Sequence, residues 1–490
     1  MTSSPPAASA AAPAPTGATP GTSTGTSTGP SPDRAAATIG LAILGIFVTY
    51  VPITSVSAAL ATIGASTHAG TSGLQWVSDA YVIPMAAAVL SAGVFGDLYG
   101  RRKVYLLGMV LTVLGGLVSG VLGGLDDANA LHWLWTGQAA AGIGAGLLIP
   151  TTLALIAQAV PDLRARGKYI GLWSTGLTGG LALGPIVSGT VLRGVDWPWI
   201  FAFPTLLALL AALGAARLLP ESAPVAGRSL DWTGQLTATV AIAALIFGII
   251  EGSAVGWTSA RAIIGLVLGA LSLIAFLVAE ARSASPLMDL SLFRSVAFSA
   301  ANFAGMMAMF SVVGGMFLLS LYLGTVQHLD TLEIGVRLLF GTGVSAVIGP
   351  IVARLIHRHT PVPVLTAGLA ICAIGMLALS FVDDGSGLWS VGWRLAIFGV
   401  GTAMMLSSVT VAAIGSAPLH HAGMAAATNT AIRQTGSALG PAILGAVYAG
   451  RLGSGATPAD AFGSAMLTNV VLLVVAAVVC LIASRRVRRS

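Results

Sequence analysis

Charge is what this chain has least of. Only 40 of its 490 residues are Asp, Glu, Lys or Arg, or 8%, against roughly 25% in an ordinary soluble domain. That shortage excludes a soluble multidomain enzyme, although the length alone would suggest about three domains. Two cysteines exclude a disulfide scaffold. The net charge of +6 rests on too few ionisable groups to build a nucleic-acid surface. There is no Walker loop, no H-E-x-x-H and no G-x-S-x-G, so neither ATP-driven transport nor hydrolysis has support. The histidines, His68, His132, His328, His357, His359, His420 and His421, show no metal-site spacing. Neither metal nor cofactor is expected. Cys372 and Cys480 stand alone in apolar runs and read as packing.

What remains is apolar. Hydrophobic residues make up 56% of the chain, with 62 Gly and 10 Trp, and mean hydropathy is +0.90. This is the composition of a polytopic membrane protein with tightly packed helices and interfacial aromatics. Residues 1–34 are nearly all Ala, Ser, Thr, Pro and Gly; they are expected to form a disordered cytosolic tail rather than a signal peptide. Apolar runs long enough to cross a bilayer, about 20 residues each, follow at 36–62, 74–96, 104–124, 132–156, 169–192, 199–219, 233–251, 261–280, 298–322, 332–355, 362–382, 391–415, 424–449 and 464–484. The least regular is 391–415, which carries Arg394 near its start. With both termini in the cytoplasm, 17 of the 23 basic residues fall on the cytoplasmic side, as the positive-inside rule requires. Arg outnumbers Lys and Ala is abundant, which hints at a bacterial source and its plasma membrane.

A repeat lies inside the spans. Gly180-Leu-Ala-Leu-Gly-Pro-Ile-Val-Ser-Gly189 and Gly436-Ser-Ala-Leu-Gly-Pro-Ala-Ile-Leu-Gly445 agree at six of ten positions. They fall in the fifth and thirteenth spans. Two homologous six-helix halves separated by an inserted pair put the echo of helix 5 there. The predicted fold is therefore all-α with fourteen transmembrane helices. Its parts are an N-terminal half 36–219, an inserted pair 233–280, a C-terminal half 298–484 and a basic tail 485–490. Repeated halves are the pattern of a secondary transporter with its substrate near the midplane.

Two motifs sharpen this. Between spans 2 and 3 stand Gly93, Gly96, Asp97, Gly100, Arg101, Arg102 and Lys103: glycines for close approach and a tight turn, and a carboxylate able to pair with the arginines. Gly180, Gly184, Pro185 and Gly189 give span 5 a smooth face bent at proline. The first stretch resembles the cytosolic signature of the major facilitator superfamily, with Leu98 where a basic residue is usual. The second resembles the helix-5 antiporter motif, with Ser188 in place of one Gly. Leu74–Tyr81, Trp197–Phe201, Leu230–Gly234, Pro286–Phe293 and Asn429–Gln434 resemble the fourteen-span drug:proton antiporter family (QacA/EmrB type). The likeness covers nearly everything from 36 to 484. It implies export of a hydrophobic or amphipathic small molecule, such as an antibiotic, dye or secondary metabolite, in exchange for protons. It also implies a cytosolic latch at Asp97 and Arg101.

The chain departs from that family at two places. The helix-1 acid, Asn and Pro positions read Pro52, Ser57 and Ala61, and the helix-4 Arg position reads Gln138. Losing both partners of a buried pair is tolerable where losing one is not. Asp79 is then the acidic residue expected at membrane depth, about 7 Å inside the outer end of span 2. It is the candidate proton site, with a gate contact or a solvated helix end as alternatives. In the second half Asn429, Arg433, Gly436, Gly440 and Pro441 form the corresponding motif; Arg433 is a candidate for an anionic substrate or a gate, or equally a structural partner for backbone carbonyls. Arg337 is expected to pair with Glu333. Candidate cavity residues are Trp76, Tyr81, Gln138, Trp173, Asn302, Met306, Met309 and Tyr322, with Trp76 and Tyr322 also suited to interfacial anchoring and the Met and Phe residues of span 9 to lipid. The expected function is proton-coupled drug or metabolite efflux. Rivals are a symporter, facilitator or lipid exporter, and a non-transporting sensor or scaffold.

Overall fold

The computed structural model describes residues 32–160, 162–222, 230–283, 286–358, 360–418 and 422–487. The expected disordered tail lies outside these residues except for its last three, which start the first helix. Fourteen long helices follow one another: α1 Pro32–Thr67, α2 Thr71–Tyr99, α3 Arg101–Leu117, α4 Ala130–Ala159, α5 Leu163–Leu192, α6 Ala202–Leu218, α7 Trp232–Val255, α8 Ala260–Arg282, α9 Val296–Thr325, α10 Thr331–Arg358, α11 Pro361–Leu379, α12 Leu388–Gly415, α13 Ala422–Gly453 and α14 Pro458–Val487. No strand occurs among the described residues. An even number of crossings puts the start of α1 and the end of α14 on one side, called here the termini side; the other is the far side.

Thirteen of these helices are long and apolar enough to cross a membrane among the described residues. The exception is α13. Span 12, the least regular in sequence, passes, because Arg394 is the one ionisable residue of α12 and the rest of the helix is strongly apolar. The helix that fails carries Asn429, Arg433 and Gln434 at its middle, and all three side chains are buried. Its polarity is paid out to neighbouring protein, not to lipid.

Proline divides the helices by position. Among the described residues, α1, α2, α4, α5, α10 and α13 carry an internal proline: Pro52, Pro84, Pro150, Pro185, Pro350 and Pro441. Five of these, α1, α2, α5, α10 and α13, meet at the junction of the halves, as does α9, which has no internal proline; α3, α6, α11 and α14 have none in their interiors.

The sequence repeat is a repeat of packing. A Cβ at Gly180 would fall 2.7 Å from Phe47 O of α1, and one at Gly184 2.7 Å from Val51 O. In the second half a Cβ at Gly440 would fall 2.6 Å from Phe310 O of α9, and one at Gly436 would strike Met306 O. Helix 5 of each half thus rests, backbone on backbone, against helix 1 of the same half. Each also crosses to the other half. Pro185 O lies 2.7 Å from the position a Cβ would take on Gly335 of α10, and Pro441 O accepts from Gln75 Nε2 of α2 at 3.3 Å. Gly335 and Gln75 are both the fifth residue of their helices. The inserted α7 and α8 pack on each other, and α7 also packs on α2 and α13.

Replacing Gly180 or Gly440 by Val should cost about 1–3 kcal/mol of overpacking, seen as a lower thermal unfolding midpoint of the detergent-solubilised protein. Gly349→Ala, where nothing lies within 4 Å of the new Cβ, should leave the midpoint unchanged.

Candidate functional site

The far side of the junction is sealed. Thr62 Oγ1 of α1 lies 3.1 Å from Thr331 Oγ1 of α10. Arg193, just after α5, meets Asp330 at 3.3 Å, both half exposed or more; such a pair contributes little energy but marks contact. A Cβ on Gly189 would strike the backbone of Leu332. At mid-depth Gln434 Nε2 lies 3.2 Å from Met85 Sδ. Four hydrogen bonds or ion pairs between the halves, Thr62–Thr331, Arg193–Asp330, Gln75–Pro441 and Gln434–Met85, lie at mid-depth or on the far side. Toward the termini side, Gly93, Gly171 and Gly349 have nothing within 4 Å of an added Cβ.

Asp79 is fully buried, and neither carboxylate oxygen has a hydrogen-bond partner among the described residues. It is the ninth residue of α2, about 12 Å from the far end at 1.5 Å per residue, deeper than the sequence estimate because α2 begins at Thr71. Its direction is fixed by its neighbours. Gln75, one turn earlier, faces α13. Trp76 meets Phe247 of α7, ring centroids 6.2 Å apart. At 100° per residue Asp79 falls between those two, on the seam where α7 covers the contact of α2 with α13. Asp97, five turns on, is partly exposed; Arg101 Nη2 lies 4.0 Å from its Oδ1, and Arg101 Nη1 donates to Ala154 O of α4 at 3.0 Å. Gly100 between them takes φ +96°, where only glycine is unstrained. Arg102 Nη2 donates to Ala216 O of α6. The signature therefore ties α2, α3, α4 and α6 together.

A second cluster gathers in the C-terminal half. Asn429 Nδ2 donates to Asn302 Oδ1 at 3.1 Å, and Asn302 Nδ2 to Phe298 O at 2.9 Å. One turn on, Arg433 Nη1 donates to Thr410 Oγ1 of α12 at 3.2 Å, while its Nε has no partner. Gly305 of α9 makes room for both: an added Cβ would lie 3.0 Å from Arg433 Cγ and 3.4 Å from Asn429 Nδ2. Tyr50 of α1 is the electrostatic neighbour of Arg433 from the other half. Thr428 Oγ1, Asn429 Oδ1 and Gln434 Oε1 are buried without partners. This cluster is a buried cation with free acceptors and no carboxylate, a setting that binds polar or anionic groups.

The other cavity candidates do not assemble into one site. Tyr81 donates to Thr49 O at 2.6 Å, on the α1 side of α2. Trp173 Nε1 donates to Thr152 Oγ1 at 2.9 Å. Gln138 is buried; Gly142 packs on the Tyr81 backbone and Gly146 on that of Met85, and this register sets Gln138 level with Val77. Tyr322 is neither a cavity residue nor an anchor. It is buried, stacked on Phe462 with centroids 4.6 Å apart, and donates to Asp384 at 2.8 Å. Met309 and Met316 are buried and Met306 and Phe303 partly so, since α9 is the most enclosed helix; they face protein rather than lipid. Arg337 does not pair with the Glu333 carboxylate. It donates to Glu333 O at 3.4 Å, because that side chain instead accepts from Asp330 N at 3.2 Å.

Sequence reasoning passed over two buried groups. Asn469 of α14 is fully buried with its amide unpartnered; one amide in an apolar span was the available signal. Glu280 of α8, 4% exposed, accepts from Met288 N at 3.0 Å; it was read as a span end.

Residues 42–441 match the Major Facilitator Superfamily. The chain is 34% identical over 417 residues to the multidrug resistance protein Stp of Mycobacterium tuberculosis, covering 85% of this chain and 76% of the relative. It is 29% identical to the tetracenomycin C resistance and export protein of Streptomyces glaucescens, covering 86% and 77%. It is 28% identical to the methylenomycin A resistance protein of Bacillus subtilis, covering 82% and 85%. Its fold is that of a solved POT family transporter, TM-score 0.67 at 15% identity over 89% of this chain and 94% of the other. The human organic anion transporter MFSD10 (TETRAN) has TM-score 0.63 at 17% identity over 92% and 100%.

Cysteines at Thr62 and Thr331 should form a disulfide across the halves, since their hydroxyls are already in contact. The native Cys372 and Cys480 are buried and should not compete. Failure of the pair to cross-link in membranes, seen as no oxidant-dependent mobility shift after cleavage between the halves, would contradict the far-side seal.

Proposed function

The chain belongs to the Major Facilitator Superfamily, and from that membership we propose that it is a secondary active exporter of hydrophobic or amphipathic small molecules, antibiotics or secondary metabolites, driven by proton antiport. The names of its relatives, multidrug and antibiotic resistance proteins, support the substrate class. It lies in a bacterial plasma membrane with both termini in the cytoplasm, the orientation that the basic residues favour. It moves its substrate unchanged, by rocking of the halves 36–219 and 298–484 about the midplane.

The observation that carries the coupling is Asp79: a carboxyl with no donor and no counter-charge among the described residues, fully buried where α2 meets α13. An ionised carboxylate cannot be left there without a large desolvation cost. With the far side sealed, Asp79 is therefore held as the acid. Rocking that parts α2 from α13 admits water and lets the proton leave or return. Arg433, Asn429, Thr428 and Tyr50 offer polar contacts to the substrate at mid-depth, beside α13's contact with α9. The signature around Asp97 and Arg101 sets the resting position of α2 and α3 on the cytoplasmic side.

Acidified everted vesicles carrying the wild-type protein should release protons when a lipophilic cation or a metabolite substrate is added. Asp79→Asn, at equal protein level, should reduce that release to the level of vesicles without the protein. Release that survives the substitution would put the coupling elsewhere. Absence of release in the wild type, beside a working antiporter, would overturn antiport itself.

A further inference from the structure

A cavity of about 820 Å³ opens between α2, α3, α4 and α7, within the roughly 300–1,000 Å³ of small-molecule sites. It is separate from Asp79 and from the Arg433 cluster. Its walls include Ile83 and Phe95 of α2, Leu107 of α3, Ile143 of α4 and Trp232 of α7. Leu107, Ile143 and Trp232 are exposed, so it faces the lipid. From Trp232 to Ala243 it runs about 16 Å along α7 at 1.5 Å per residue. That is the depth of one leaflet, about half of a 30 Å hydrocarbon core.

The polar side chains along its length, Ser91, Gln235 and Thr239, are already satisfied. Ser91 bonds Gln235, Gln235 Nε2 donates to Ala87 O at 2.8 Å, and Thr239 Oγ1 donates to Gln235 O at 2.7 Å. The cavity wall therefore asks for hydrocarbon, not for a hydrogen-bonding solute. Its termini-side mouth carries Lys103. Of the three consecutive basic residues there, Arg101 is held by Asp97 and Ala154 and Arg102 by Ala216. Lys103 is exposed and makes no ion pair among the described residues. Glu221 packs on Gly100, and neither it nor Asp231 lines the cavity. We propose that this crevice binds an anionic phospholipid of the leaflet on the termini side, an acyl chain along α7 and the headgroup phosphate on Lys103.

The test needs no transport substrate. The purified full chain, stripped of lipid, would be titrated with phosphatidylglycerol and phosphatidylcholine and the bound lipid counted by native mass spectrometry. Wild type should retain phosphatidylglycerol in preference. Lys103→Gln should lower that preference about fivefold, the effect of one basic residue near an anionic surface. Leu107→Trp should lower the number of either lipid bound; Ile143→Trp, on another wall, serves if the first variant does not fold. No headgroup preference in the wild type, or a preference that Lys103→Gln leaves intact, would overturn the proposal. So would wall-filling variants that keep their lipid but lose binding of ethidium, which would make the crevice a cation site.

Discussion

Close contact between helix backbones at four glycines governs the architecture. Helices in lipid gain nothing from hiding apolar surface, so they associate through dispersion and close approach. Gly180 and Gly184 bring α5 onto α1; Gly436 and Gly440 bring α13 onto α9. A methyl at any of these points would meet a backbone atom. Each helix so placed then reaches across to the other half through a proline carbonyl, Pro185 toward Gly335 and Pro441 toward Gln75. The same four crossings hold each half together and join the halves. Because the surfaces are nearly free of side chains, they permit sliding without interdigitated residues having to unlock.

The two-fold pattern is broken in one place, and the break defines the environment of Asp79. Its counterpart in the other half is Leu339, ninth in α10 as Asp79 is ninth in α2. Leu339 is 37% exposed, while Asp79 is not exposed at all. The difference is the inserted pair. On the α2–α13 side α7 lies over the seam, with Trp76 against Phe247, Gln235 bonded to Ser91 and Ala87, and Trp232 edge-on to Phe95 at 6.4 Å. Among the described residues the α5–α10 side has no such cover. A leucine is at home facing lipid; a carboxyl is not. The extra helices thus shield an acid that a twelve-helix arrangement would leave facing the bilayer.

Much of this was legible from residue patterns. Helix number and order followed from apolar runs, and the Gly-Pro echo placed the insert between two halves. What the echo could not give was its partner: nothing in Gly180-Leu-Ala-Leu-Gly184 names Phe47 or Val51 of α1, because close approach is a property of two surfaces. Side-chain partnerships were the least legible. Arg337 stood four residues from Glu333, yet Glu333 caps Asp330 and the arginine takes a carbonyl. Tyr322 sat where an interfacial anchor belongs, yet it is a buried donor to Asp384. The polarity of α13 was visible as a motif, and the burial of Asn429, Arg433 and Gln434 against neighbouring helices is what lets so polar a helix stand among apolar ones.

The neutral positions at Pro52, Ser57, Ala61 and Gln138 take on meaning from the two sides of α2. Tyr81, bonded to Thr49 of α1 and packed by Gly142 of α4, marks the side where the family's acid and arginine would stand. Asp79 is two residues earlier, about 200° around the helix at 100° per residue, which is nearly the opposite side. It is therefore not that acid moved to a neighbouring helix within the same cluster, and Gln138 is not a lost counter-charge for it. On the α1–α4 side the buried polar groups, such as Ser57 with Oγ on Ile53 O at 2.6 Å, Thr54 and Gln138, are neutral among the described residues, so no buried charge is stranded there. On the proposed reading, protonation of Asp79 acts on the halves through the contact of α2 with α13 and its α7 cover. That route lies on the other side of α2 from α1 and α4, so a neutral residue at Pro52 or Gln138 does not strand the acid.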